Sequence, residues 1–298
     1  MLRTLSHFLV AIIVANAACQ SEQTESQEEM NTSTGIEQTI NVMSYNIRYD
    51  NPGDSAHAWP YRKERVANLI AYHEADLLGL QEALEHQVQY LDSALNDLDW
   101  VGVGRDDGQS QGEFSPVFYR KTMFELLDWG TFWLSETPDT ISVGWDAALP
   151  RIATWTQLIH KPSGDTLYYF NTHFDHRGEQ AREESAKLIR KKISEIAGDS
   201  PVVVTGDFNA SPDSAPYGAM VEGEDLKDAY EVSQLPHHGP TSSFSGFVVT
   251  EPLAANRRID YVFVSPNVEV EKHAILTDSK DNAYPSDHLP VVAEVSLK

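Results

Sequence analysis

From Thr39 onward the chain alternates between two kinds of pattern. Short apolar runs bounded by polar or turn-forming residues read as strands. They fall at 39–48 (TINVMSYNIR), 76–82 (DLLGLQE), 99–104, 115–120, 124–134, 151–160 and 166–174. The run PVVVTGDFNA (201–210) and those at 258–264, 268–277 and 291–297 complete the set. Apolar residues three and four apart predict helices over 60–74, through Val66, Leu69, Ile70 and His73, over 85–97, and most clearly over 178–198. In the last, Ala181, Ser185, Leu188, Ile189, Ile193 and Ile196 share a face. Glu183 and Lys187 there form an i,i+4 pair, and Gly198 suits the C-terminal cap. Residues 212–250 read as short helix and loop. Many strands, few helices and little strict alternation predict two packed sheets with helices outside, an α/β sandwich in one domain over 38–298.

The first residues follow another logic. Arg3 precedes an apolar stretch, FLVAIIVANAA (8–18), too short to span a bilayer, and the segment 1–18 reads as an export signal. Its end reads two ways. ANA (15–17) fits ordinary cleavage, whereas Cys19, after two alanines and before a polar tail, fits a lipidated cysteine, the reading favoured here. Residues 19–37 are polar and acidic without apolar period, a disordered tether. The expected location is outside the cytoplasm: periplasmic or anchored to the outer membrane through Cys19, otherwise secreted. Cys19 is the only cysteine, so no internal disulfide can form.

Charge narrows the partners. With 22 Lys plus Arg against 45 Asp plus Glu, the formal net charge is −23. Such a field repels long polyanions, so duplex DNA is not the first partner to expect, although a plain acidic surface explains the charge equally well.

Several predicted strands end in polar, metal-capable residues: Asn46, Glu82, His173, the pair Asp207 and Asn209, and Asp260, while Asp287 and His288 stand just before the last strand. Carboxylate and amide oxygens suit Mg²⁺, Mn²⁺ or Ca²⁺, and a lone cysteine argues against structural zinc. Histidines beside carboxylates suit proton transfer. Singly, each has a plain structural reading. Asn46 could form a turn, Glu82 cap a helix, Asp-Phe-Asn close a strand, Asp260 pair with Arg257 or Arg258, and His173 sit in the interior. Jointly they predict one polar rim.

The motifs SYNIR, GLQE, NTHFDHR, TGDFNA, RIDYVF and SDHLPV, in this order between residues 40 and 297, resemble the endonuclease/exonuclease/phosphatase superfamily. The resemblance implies a four-layered α/β sandwich, two mostly antiparallel sheets flanked by helices, and phosphoester hydrolysis dependent on Mg²⁺ or Mn²⁺, with Ca²⁺ as an alternative. It further implies that Glu82 is the principal metal ligand, with Asn46 beside it and Asp287 facing the metal. Asp260 would orient His288, Asp207 would position or deprotonate water, and Asn209 and His173 would bind phosphoryl oxygens. Asp207 and His288 stand as a shared catalytic group. For substrate contacts the residues themselves suggest Arg151, Arg177 and Trp155, since guanidinium forks suit phosphate and indole faces stack on sugars or bases. The expected protein is a monomeric phosphatase or phosphodiesterase for a small phosphorylated carbohydrate, lipid headgroup or nucleotide. An extracellular DNA or RNA nuclease is the alternative, and a catalytically silent phosphate-binding module comes third.

Overall fold

The computed structural model describes residues 39–249, 253 and 257–298. The export signal, Cys19 and the whole tether lie outside the described residues. Among the described residues, no helix is long and apolar enough to cross a membrane.

The first half of the fold contains β1 (Ile40–Asn46), α1 (Trp59–Tyr72), β2 (Leu77–Gln81), α2 (Glu85–Ala94), β3 (Leu98–Val101) and β4 (Val117–Arg120). After it come β5 (Phe124–Trp133), β6 (Ile152–His160), β7 (Asp165–His173), α3 (Glu179–Ile196), β8 (Val202–Asp207) and α4 (Ala215–Val221). The chain closes with β9 (Lys227–Asp228), α5 (Ala229–Val232), β10 (Asp260–Val264), β11 (Val268–Ile275) and β12 (Val291–Leu297). One six-stranded sheet runs β11-β12-β1-β2-β4-β3 and the other β5-β6-β7-β8-β10-β9. In each sheet one central pair is parallel, β1 with β2 and β7 with β8, and the other pairs are antiparallel.

Three apolar layers hold these elements. Val42, Leu77, Tyr169, Val203, Val262 and Val291 belong to the core between the sheets. Val66, Leu69 and Ile70 of α1 and Leu91 of α2 pack on the outer face of the first sheet. Ala186, Ile189 and Ile193 of α3 and Met220 of α4 pack on the second. The result is the expected four-layered sandwich. A polar seam crosses the core. Asn171 Nδ2 donates to the carbonyls of Leu80 (2.7 Å) and Pro116 (3.0 Å), Gln81 Nε2 donates to Asn171 Oδ1 (2.7 Å), and Thr205 Oγ1 reaches the same oxygen at 3.1 Å. Gly79 makes room for it, because a Cβ there would collide with Thr205 Oγ1 and Asn171 Oδ1.

Three expectations change in detail. His73 is the C-cap of α1, bonded to Asp278, rather than part of its apolar face. Leu188 and Ile196 are only partly buried at the edge of the α3 layer. The strand expected through Asn209 stops at Asp207, and the short β9 lies in a region read as helix and loop.

Candidate active site

Strand register makes the site. His173 on β7 stands opposite Asp207 on β8, and Asp207 stands opposite Asp260 on β10, so three functional residues lie abreast on adjacent strands. Across the gap between the sheets, β1 and β2 end level at Asn46 and Gln81, one residue short of Glu82. Asp287 and His288 come in ahead of β12.

Asp207 is central. Its Oδ2 accepts from Asn46 Nδ2 at 2.9 Å and lies 3.5 Å from His173 Nε2 and 3.7 Å from His288 Nε2. His288 Nδ1 is hydrogen-bonded to Asp260 Oδ2 at 2.9 Å, and Phe244 packs edge-on against the imidazole. Burial first, then the Asp260 charge, pushes the Asp207 carboxyl above the usual range. Burial disfavours the charged form of His288, but Asp260, Asp207 and Asp287 outweigh it and hold this imidazole well above its ordinary value. His288 is therefore a cation at neutral pH.

His173 is the opposite case. Burial, aided by the nearby Arg151 charge, pushes it down to about 3, so it is a neutral imidazole. Its tautomer follows from Asn209. The Asn209 Nδ2 donates to the Phe174 carbonyl at 3.1 Å, which identifies the nitrogen, and the same nitrogen lies 3.2 Å from His173 Nε2. Nε2 is thus the acceptor, and the proton stays on Nδ1, which faces Glu113 Oε2 at 3.6 Å. Asn209 meets Asp207 through a turn: it adopts φ 47 and its N–H donates to Asp207 Oδ1 at 2.9 Å. Both amide hydrogens of Asn209 are engaged, so donating to a phosphoryl oxygen would require giving up one of these bonds.

Glu82 also takes a left-handed backbone, φ 61, a conformation that costs a non-glycine residue about 1–3 kcal/mol. Its Oε1 accepts from Asn46 Nδ2 at 3.1 Å and its Oε2 from the Tyr49 N–H at 3.2 Å. The Asn46 Oδ1 instead accepts from the Arg48 N–H at 3.0 Å. Asn46 therefore turns its nitrogen, not its oxygen, toward the carboxylates. It hydrogen-bonds to Glu82 and Asp207 and keeps its oxygen on the Arg48 N–H, an orientation different from the oxygen donor expected from sequence.

The donor set fits a hard divalent cation. Ligand atoms of Glu82, His173 and Asp207 lie within 4.8 Å of one another, as do those of Asp207, Asp260 and His288. Asp287 adds a carboxylate pushed upward, like that of Asp207, chiefly by burial. Crowded, buried carboxylates are what a divalent cation would relieve, and oxygen donors suit Mg²⁺, Mn²⁺ or Ca²⁺.

The three expected substrate contacts fare differently. Arg151 is buried, with Nε 3.3 Å from Asp175 Oδ2 and Nη2 3.0 Å from His176 Nδ1. Only its Nη1, 4.0 Å from Glu113 Oε2, lacks a hydrogen-bond partner among the described residues. Arg177 is exposed on the turn before α3, its N–H held by Asp175 Oδ1. Trp155 is corrected outright. It lies four residues along β6 from Arg151, about 13 Å at the usual strand rise, and packs against the apolar layer beneath α3 with its indole over Gly130. Strand alternation gives it the face of Ala153, which packs in the same layer.

Sequence reasoning missed Arg48, Asp54, Arg105 and Glu113. Glu113 is gripped by both Arg105 nitrogens, at 2.7 and 3.0 Å, and joins this pair to Arg151 and His173. A lone glutamate between two loops gave no signal, whereas Arg48 lay inside the SYNIR motif.

Residues 43–288 match the sequence model of the Endonuclease/Exonuclease/phosphatase family. The chain belongs to that family. The solved structure of an endonuclease/exonuclease/phosphatase from Bacteroides vulgatus is 43% identical, covers 88% of this chain and 100% of its own, and superposes with a TM-score of 0.83. A mannosyl-6-phosphatase from Bacteroides thetaiotaomicron is 39% identical, with 87% of this chain and 100% of its own covered and a TM-score of 0.82. Nocturnin of Drosophila melanogaster is 22% identical over 86% of this chain and 46% of nocturnin. The chain spans about half the length of the curated relatives it matches. Members of the endonuclease/exonuclease/phosphatase family are phosphoester hydrolases, and the cluster around Asp207 lies within the matched span.

Proposed function

We propose that this protein is a divalent-metal-dependent phosphoester hydrolase acting on a small phosphorylated carbohydrate. The reading is carried by the surroundings of Asp207, a buried carboxylate with an imidazole nitrogen on each side. Asp207 and His288 form one proton-sharing unit. The carboxylate, with its raised proton affinity, holds and polarises the attacking water, while cationic His288 donates from Nε2 to the phosphoryl group. Asp260 fixes the His288 tautomer through Nδ1. His173 stays neutral and, with Asn209, shapes the other wall. A divalent cation held by Glu82 and Asp287, with Asp207 alongside, would neutralise phosphoryl charge. Arg177, exposed where Arg151 is buried and engaged by Asp175 and His176, is the freer of the two expected arginines to reach a substrate oxygen.

The carbohydrate preference is supported by the 39% identity to a mannosyl-6-phosphatase, and the net charge of −23 weighs against long polyanions. The test is a panel of hexose phosphates, a bis-arylphosphate and plasmid DNA, with Mg²⁺ or Mn²⁺ and after chelation. Phosphate release from a hexose phosphate is expected, abolished by chelator and reduced about 10³-fold or more in Asp207→Ala. Plasmid nicking without sugar-phosphate hydrolysis would instead mark a nuclease, and silence on every substrate a binding module. The proposal places this activity outside the cytoplasm, anchored at Cys19. Fatty-acid labelling of the cells, with the label lost in Cys19→Ser, is the expected result.

A further inference from the structure

Arg48 is held at every point. Its backbone is left-handed, φ 57, its N–H donates to Asn46 Oδ1 at 3.0 Å, and its carbonyl accepts from Gln87 Nε2 at 3.0 Å. Its Nε and Nη2 form a fork on Asp54 at 3.0 and 3.1 Å, and Asp54 is itself anchored by Asn51 Nδ2 at 3.0 Å. This scaffold leaves the guanidinium 3.7 Å from Glu82 Oε2 and 3.8 Å from Asp287 Oδ2, the two carboxylates assigned above to the cation. These separations are too long for hydrogen bonds, so Arg48 acts there through its charge.

We propose that Arg48 is a resident cation of the catalytic centre, set beside Glu82 and Asp287 so that the centre works with one divalent ion instead of two. The inference rests on the metal-dependent reading and extends it to the charge balance of the site. A second ion would need the carboxylate oxygens that the guanidinium already faces. Asp54 fixes the guanidinium and partly neutralises it, which keeps Arg48 from expelling the first ion. Removing a positive charge this close to Glu82 and Asp287 should raise their affinity for a divalent ion about tenfold.

The test is calorimetric titration of Mn²⁺ alone into the full chain. One ion per wild-type chain is expected. Arg48→Gln should bind Mn²⁺ about tenfold more tightly, whereas a merely structural arginine would weaken binding when removed. Asp54→Asn, which strips the guanidinium of its counter-charge, should bind severalfold less tightly. Any wild-type stoichiometry other than one, or an Arg48→Gln affinity no higher than wild type, overturns the proposal. Should Arg48→Gln not fold, unchanged or tighter binding by Asp54→Asn overturns it. The titration contains no substrate, so failure of the hydrolase reading would show in the substrate panel and leave this result standing.

Discussion

Replacing Asp260 with asparagine removes one charge and almost no volume. His288 Nδ1 and Asp260 Oδ2 are 2.9 Å apart and both residues are buried. Opposite unit charges about 4 Å apart attract by about 4 kcal/mol at an effective dielectric constant of about 20. Asp207 and Asp287 remain to support the imidazolium, so the proton affinity of His288 should fall in the variant without losing all of its support. The new amide oxygen can still accept from Nδ1, and its NH₂ would occupy the place of Asp260 Oδ1, which has no hydrogen-bond partner among the described residues. Turnover of the hexose phosphate at pH 7 should drop about 10³-fold, with KM changed little. The sign of the pH effect is fixed. Wild-type His288 keeps its proton until pH rises through its raised value, whereas the variant loses it earlier, so the rate deficit should widen as pH rises. Imidazole titration by ¹⁵N NMR together with the pH–rate profile measures both parts. An unchanged His288 titration, or turnover above a tenth of wild type, would refute the reasoning.

Three further outcomes are expected. Gly79→Ala should lower the urea midpoint, at a cost of about 1–3 kcal/mol, because the new methyl collides with Thr205 and Asn171 in the seam between the sheets. His273 is pushed down to about 3, first by burial and then by His237 and Arg258, so the unfolded chain binds its proton first. Its contribution should erode by about 1.4 kcal/mol per pH unit as pH falls from about 6.5 toward 3. Urea titrations at pH 7 and 4.5 should show a smaller acid-induced loss in His273→Gln. Trp155→Ala should reduce stability yet leave KM within about twofold, since the indole packs beneath α3; a tenfold rise in KM would restore Trp155 to the substrate site.

Chain periodicity alone determined the elements. Alternation and helical spacing depend on local side-chain burial, which is why α3 and most strands fall within a few residues of their expected limits. The motifs also named Glu82, Asp207, Asp260 and His288 before any coordinates placed them together. Roles that depend on direction were not legible. Whether Asn46 offers oxygen or nitrogen depends on which neighbours compete for each, and the Arg48 N–H had already taken the oxygen. Trp155 and Arg151 share one strand region and one face, but distance and packing send the indole beneath a helix, while Asp175 and His176 claim the guanidinium. Glu113 and Asp54 matter only because distant loops meet at the rim, and such contacts leave no periodic trace. Proton affinities belong to the tertiary structure as well. His173 and His288 are the same residue type, yet burial without sufficient counter-charge makes one neutral, and three flanking carboxylates keep the other charged.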